Sequence, residues 1–159
     1  MSFDIRHVTI NDAKLLFDWA NDANTRQNSF NSEPIHWDDH VNWLQNRLAR
    51  TDNFMYLFVL DSNPIGIVRF DIAKDTVVGI TISPAHRGKG LGSEILKLAC
   101  NKFWETHNKS ILAYIKIDNL ASQKAFNNAG FVFNKMELFS GHECICLIAH
   151  KSGFTHARD

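Results

Sequence analysis

Residues 77–96 have the sequence VVGITISPAHRGKGLGSEIL, which predicts a strand, a glycine-rich turn and a helix in succession. The strand is apolar and β-branched, and Pro84 ends it because proline cannot donate to a sheet ladder. Three glycines within the next eight residues let backbone N–H groups converge on one point. The helix behind them adds its own free N–H groups and the positive end of its dipole. The stretch therefore predicts a socket for a phosphate or pyrophosphate, with Arg87 and Lys89 at its rim.

The spacing of the glycines decides which ligand the socket fits. A P-loop is excluded because Gly90, rather than Ser or Thr, follows Lys89. A dinucleotide fingerprint fails because Ser93 stands where its third glycine belongs. Arg87, Gly90 and Gly92 instead match Gln/Arg-x-x-Gly-x-Gly/Ala, so the stretch resembles the acetyl-coenzyme A signature of the GNAT superfamily of N-acetyltransferases.

A second segment resembles the same superfamily. Residues 111–117 predict a strand, and residues 118–131, DNLASQKAFNNAGF, follow it with Asn-x-x-Ser, a short helix and Gly-Phe. This order is similar to the second GNAT motif, and the resemblance covers roughly residues 60–135.

Periodicity along the rest of the chain is consistent with that fold. It predicts strands at 3–8, 53–60, 64–72, 77–82, 111–117, 131–138 and 143–150, and helices at 12–22, 36–50, 90–107 and 121–129. Residues 23–35 predict a polar loop. The resemblance implies an α/β (α+β) fold with a mixed sheet of about seven strands, splayed in the middle, and four helices. We expect one domain at 1–150 and a frayed tail at 151–159.

The resemblance also implies how acetyl-CoA binds. Its pantetheine arm would fill the gap between the central strand and the next parallel strand, like a short added strand. The residues implied in acetyl-CoA binding are Ile80, Ile82, Arg87, Gly88, Lys89, Gly90, Leu91, Gly92, Ser93, Asn119, Ser122 and Phe126. Asn119 has a second interpretation as a plain helix cap.

The catalytic groups depart from the common pattern of the superfamily. Many members carry a Tyr that protonates the departing thiolate, and that position is Phe126 here. Many also carry a Glu on the central strand, where the nearby positions of this chain are Val77, Val78 and Gly79. The amine nevertheless needs a base, because it is largely protonated at neutral pH. Asp71 and Glu33 are the first candidates, and Asp71 has the alternative of pairing with Arg69. Further candidates are His36, His142 and Glu143.

The acceptor is indicated by the loop and by the strand that contains residues 66–71. Segments 19–22, 29–35 and 66–71 resemble the GNAT branch that acetylates 4-amino-deoxy sugars linked to a nucleoside diphosphate, on the pathway to pseudaminic acid. The predicted acceptor-binding residues are Arg26, Ser29, Phe30, Asn31, Glu33 and Arg69. A solvated connection is the alternative for the loop. Two other functions stay open: acetylation of protein N-termini, and a non-catalytic acetyl-CoA-binding module.

The composition of the chain limits the classes of binding partner that we expect. The 159 residues carry 17 basic and 17 acidic side chains, so no overall field favours nucleic acid or membrane. The sequence has neither a run of membrane-spanning length nor a signal-peptide pattern. Three cysteines predict reduced thiols and a cytoplasmic protein. The pairs His36/His40 and Cys144/Cys146 lack further ligands, so no metal is expected. We expect a small-molecule amine as partner and a monomer or homodimer.

Overall fold

A computed structural model of the chain describes residues 2–154, and a single mixed sheet dominates this part of the chain. Its seven strands lie in the order β1-β2-β3-β4-β5-β7-β6. They are β1 (Asp4–His7), β2 (Asn53–Leu60), β3 (Asn63–Ile72), β4 (Thr76–Ile82), β5 (Ile111–Lys116), β6 (Val132–Phe139) and β7 (His142–Ala149). The helices between them are α1 (Ala13–Ala20), α2 (Ala23–Asn28), α3 (Trp37–Ala49), α4 (Leu91–Trp104) and α5 (Leu120–Ala129).

The centre of the sheet is split. Strands β1 to β4 pair antiparallel, and so do β5, β7 and β6. The only parallel pairing within the described residues joins β4 to β5, and it includes Thr76 with Ile111 and Val77 with Leu112 before it stops. Beyond Val77 the two strands diverge, which confirms the splayed sheet expected from the sequence.

Each face of the sheet carries its own core. Helices α4 and α5 cover one face, where Phe58, Phe70 and Phe103 are fully buried and the rings of Phe70 and Phe103 stack at 4.7 Å. Helices α1 and α3 cover the other face through a smaller cluster that contains Leu16 and Leu44. The smaller cluster leaves space against β3 and β4, and the cavity described below lies there.

The sequence predicted a loop for the whole of segment 23–35, but α2 occupies its first half. The Asp22 side chain accepts a hydrogen bond from the backbone N–H of Thr25 and caps this helix. The described residues therefore contain five α-helices rather than four, the fifth being only six residues long.

Helix α3 buries a different stripe from the one that its apolar residues indicated. The apolar residues Trp37, Val41, Leu44 and Leu48 lie on one stripe of this helix, but Trp37 and Leu48 are exposed. The buried residues of this helix are His40 and Leu44. The helix is rotated because its His40 bonds to α1, and this rotation brings polar side chains of α3 against the sheet.

The packed structure extends further along the tail than expected. Phe154 is buried, with its ring 4.9 Å from that of Trp104 and 6.2 Å from that of Phe131. The expected fraying therefore does not hold for Phe154, and residues 155–159 lie outside the described part of the chain.

Candidate active site

The glycine-rich turn after β4 has the backbone conformation that an anion socket needs. Gly88 and Gly90 have φ angles of 74° and 73°, in the left-handed region that glycine adopts without strain. A Cβ built on either would meet no atom within 4 Å, so the backbone is open to a ligand. Gly90 is the N-cap of α4, whose first N–H groups have no partner in the helix. Together these groups suit a bound phosphate.

Arg87 does not sit free at the rim of that turn. Its guanidinium forms an ion pair with Asp22 at 2.7 Å and donates to the Thr25 hydroxyl at 2.9 Å. Lys89 is exposed and is the basic side chain that remains at the rim. The sequence could not show this difference, because Asp22 lies more than sixty residues away.

The gap between β4 and β5 is flanked by the other residues implied in cofactor binding. Ile80 and Ile82 project onto the face of the sheet that α4 covers, beside Gly92. A Cβ built on Gly92 would lie 3.5 Å from the Cβ of Ala125. Asn119 caps α5 by accepting from the backbone N–H of Ser122 at 3.2 Å. The structure thus brings the turn, the gap and the start of α5 together.

Phe126 is buried, and its ring packs edge-on against Phe131 at 5.0 Å. Its neighbours are therefore core residues, and it offers no proton to a departing thiolate.

Residues 22–30, which we call the strap, cross the open end of the split. Beyond the contacts of Arg87, Lys116 at the end of β5 donates to the carbonyl of Gln27 at 3.0 Å. His142 of the last hairpin donates through Nε2 to the carbonyl of Phe30 at 2.8 Å. The strap is therefore tied both to the turn after β4 and to the end of β5.

A cavity of about 520 Å³ lies between the helices α1 to α3 and the face of β3 and β4. Its lining combines an apolar floor with a cluster of charged and polar side chains. The lining residues are Leu16, Trp19, Ala20, Arg26, Ile35, Asp39, His40, Trp43, Arg47, Ile67, Arg69, Asp71 and Thr81. Thr81 belongs to β4, so the cavity reaches the strand that borders the split.

Three of the predicted site residues, Arg26, Arg69 and Asp71, line this cavity. Asp71 pairs with Arg47 at 2.6 Å rather than with Arg69, the partner that the sequence suggested. Arg69 lies over Gly79, with its Nε 3.2 Å from the position that a Cβ would take. Burial, together with the positive charge of Arg47, lowers the pKa of Arg69. Gly79 therefore makes room for a guanidinium that faces the cavity.

Most of the loop residues predicted to bind the acceptor instead hold the loop itself. Arg26 lines the cavity, but it donates to the carbonyls of Ala20, Asn31 and Glu33 and to the Ser29 hydroxyl. The Asn31 side chain accepts from the backbone N–H of Glu33.

Two further loop residues that were predicted to bind the acceptor lie away from the cavity. Glu33 is exposed and does not line the cavity. The ring of Phe30 packs on Phe139 at 4.8 Å. The structure therefore does not bring Glu33 or Phe30 to the cavity.

Helix α3 supplies Trp43 to the cavity, together with three polar residues that the sequence analysis missed: Asp39, His40 and Arg47. Their spacing along the helix was a usable signal, since positions 40, 43 and 47 lie on one stripe. His40 is buried, and its Nε2 donates to the carbonyl of Ala13 at 2.9 Å. Burial lowers the pKa of His40, so its imidazole is neutral and its Nδ1 keeps a lone pair.

Two searches of the described residues bear on other kinds of site. Between residues 2 and 154 no cluster of three or more His, Cys, Asp or Glu side chains is arranged to hold a metal ion. No helix in that range combines the length and apolar character that crossing a bilayer requires.

Solved structures share this fold over nearly the whole chain. Aminoglycoside acetyltransferase AAC(6′)-Ib, in complex with ribostamycin and coenzyme A, superposes with a TM-score of 0.85 at 17% identity, covering 96% of both chains. Spermidine N-acetyltransferase from Vibrio cholerae, in complex with CoA and spermine, gives a TM-score of 0.84 at 18% identity over 95% of this chain and 96% of that one.

Sequence comparison points the same way. Mycothiol acetyltransferase from Corynebacterium efficiens is 25% identical over 114 residues, which are 64% of this chain and 38% of that protein. The match thus spans well under half of the curated relative. The family model described as "Acetyltransferase (GNAT) domain" matches residues 3–132. With the split sheet and its glycine turn, this match shows that the chain belongs to the GNAT acetyltransferase domain family.

Proposed function

We propose that the protein transfers an acetyl group from acetyl-CoA to the primary amine of a nucleotide-linked amino-deoxy sugar. The proposal rests on one arrangement: a split sheet with an anion-binding turn at its open end, next to a cavity lined by arginines. The turn suits the diphosphate of the carrier, and the cavity suits an acceptor that carries negative charge.

Acetyl-CoA would supply an activated thioester carbonyl, which an unprotonated amine attacks. The backbone groups of β4 beyond Val77 have no partner strand on that side, so they are available to the amides of the pantetheine arm. The N–H groups from Gly88 to Gly92 would hold the diphosphate. A backbone N–H of Ile82 would stabilise the oxyanion that develops on the carbonyl.

The acceptor amine must lose a proton before it attacks. Asp71 is the proposed base, because its carboxylate lines the cavity and is held in place by Arg47. Neutral His40 lies in the same lining. The thiolate takes its proton from water, since Phe126 has none to give.

The charges of the cavity favour this acceptor over the alternatives. Three arginines and two aspartates line it, which leaves an excess of one positive charge. Ribostamycin and spermine, bound by the structural neighbours, are polycations and would meet that excess unfavourably. A protein N-terminus would require an open groove with acidic residues, rather than a cavity between helices and sheet.

The test is CoA-thiol release with a panel of amines. The panel contains a UDP-linked 4-amino sugar, a peptide with a free N-terminus, spermidine and kanamycin. Thiol reagents report CoA alone, because Cys100, Cys144 and Cys146 are buried. We expect the highest kcat/KM for the nucleotide sugar. Release with none of the amines, together with measurable CoA binding, would instead identify a non-catalytic binding module.

One pair of variants tests the proposed base. Asp71→Asn should lower kcat by roughly 100-fold, in the range typical of lost general-base catalysis. Asp75→Asn is the matched control, since Asp75 is exposed in the β3–β4 turn. Equal rates for the two variants would exclude Asp71 as the base.

A further inference from the structure

Arg47, in the lining of the cavity, has buried hydrogen-bond donors that the described chain does not satisfy. Arg47 uses Nη1 for its ion pair with Asp71, but its Nε and Nη2 are buried and have no hydrogen-bond partner within residues 2–154. An unpartnered donor on a buried charged group is costly. The arrangement therefore indicates a partner that comes from outside the chain.

Arg69 stands beside Arg47 without a carboxylate of its own. Asp71, two residues away on β3, is the acidic side chain nearest to it in sequence, and it is taken by Arg47. Arg69 is partly buried, lines the cavity and packs closely on Gly79, where a Cβ would lie 3.2 Å from its Nε. A planar guanidinium in this position presents its N–H groups as a fork, which matches the oxygens of a phosphate or carboxylate.

An aromatic side chain, Trp43, packs against the guanidinium of Arg47. The guanidinium carbon of Arg47 lies 5.3 Å from the ring centre of Trp43, which is partly exposed at the cavity. This contact holds Arg47 against the cavity wall while its charge stays available.

We propose that Arg69 and Arg47 form an oxyanion subsite, which binds a phosphate or carboxylate group of the acceptor and so selects anionic amines. This inference rests on the proposed function for the amine, but the subsite can be tested without any acetyl transfer. Asp39 and Asp71 also line the cavity, where they can meet the ammonium end of the same acceptor.

The experiment measures binding of UDP and of L-glutamate by calorimetry, to protein already saturated with CoA. Saturation fills the glycine turn, so that any further anion binding belongs to another site. The two probes separate the sources of the oxyanion, since one carries phosphate and the other carboxylate. We expect one of them to bind, and Arg69→Gln to weaken that binding by about tenfold or more.

Two control variants separate recognition from folding. Arg50→Gln removes an exposed arginine that pairs with Asp52 outside the cavity, and it should leave the affinity unchanged. Arg69→Lys keeps the charge but loses the fork, so its affinity should fall between those of wild type and Arg69→Gln. The melting temperature of Arg69→Gln should stay the same or rise, because a buried charge without a partner is removed.

Equal affinities for Arg69→Gln and Arg50→Gln, or no binding of either probe to the CoA-saturated protein, would overturn the subsite. A kcat/KM for spermidine at or above that for the UDP-linked amine would also overturn it, while acetyl transfer itself would stand. Arg69-dependent binding of UDP without turnover of any amine would support the subsite and reject the proposed function.

Discussion

Gly90 has a φ of +73° at the N-cap of α4, and open space lies where a side chain would project. Gly90→Ala therefore introduces no clash and tests the backbone alone. An L-residue in the left-handed region costs about 1–2 kcal/mol. The turn would relax to relieve this strain, and its N–H groups would then no longer converge on the diphosphate. We expect CoA affinity to fall about tenfold, measured by calorimetry.

Gly153→Ala is the control for this change, because Gly153 is also open to solvent but has no positive φ. If Gly90→Ala bound CoA as tightly as Gly153→Ala, the turn would not be the diphosphate site.

The side chain of Asp12 makes the stability of the fold depend on pH. Its carboxylate accepts two hydrogen bonds from Arg6, at 2.8 and 2.7 Å, and one from the backbone N–H of Thr9. The bonds from Arg6 in particular hold the pKa of Asp12 below its ordinary value. A carboxylate whose pKa is lower in the folded state than in the unfolded state stabilises the fold at pH values above its unfolded-state pKa. This contribution is lost as the pH falls through its folded-state pKa.

Asp12→Asn should therefore lower the free energy of unfolding by about 1–3 kcal/mol at pH 7 and by less at pH 3. Urea denaturation at the two pH values measures this difference. Asp4→Asn, an exposed change on β1, gives the baseline. The same loss at both pH values would mean that packing, and not ionisation, accounts for the effect.

At the level of elements, the strap of residues 22–30 links the turn after β4 to the acceptor side. Asp22 has two roles there, since it caps α2 and pairs with Arg87. Asp22→Ala should release the strap, with a loss of about 1 kcal/mol from the cap. Trypsin should then cut after Arg26 several times faster, and bound CoA should slow that cleavage.

Asn24→Ala is a matched change on the exposed side of α2, and it should leave the cleavage rate near that of wild type. Equal rates for both variants would show that the ion pair with Arg87 does not hold the strap.

The elements also show what a sequence pattern can and cannot provide. The strands were predicted almost to the residue, because alternation and turn residues are local signals; β2 runs from Asn53 to Leu60 as expected. Arg69 and Asp71 were placed on the right strand for the same reason. The rotation of α3 was missed, because the apolar residues of this helix indicate a different stripe from the buried one and His40 takes its partner from α1. The pairing of Arg47 with Asp71 joins distant segments, so no local pattern contains it.

At the scale of the whole molecule, Phe154 closes the core at one end of α4. Its ring contacts those of Trp104 and Phe131, and it approaches Gly130 so closely that a Cβ there would lie 3.2 Å from it. Phe154→Ala should lower the free energy of unfolding by about 3 kcal/mol, as for other large-to-small changes in a core. Ser152→Ala, at an exposed position, should change it by less than about 0.5 kcal/mol. Thermal denaturation compares the two, and equal melting temperatures would show that the tail adds nothing to the core.

The early end of the β4–β5 pairing has a mechanical consequence. Four strands lie on one side of it and three on the other, and the parallel ladder between them is very short. A carrier arm lodged in the gap would restore the missing ladder and join the two blocks of strands. Amide exchange in β4 and β5 should then slow far more on CoA addition than exchange in the outer strands β1 and β6. In this protein the bound carrier would be a structural member of the sheet as well as a donor of acetyl groups.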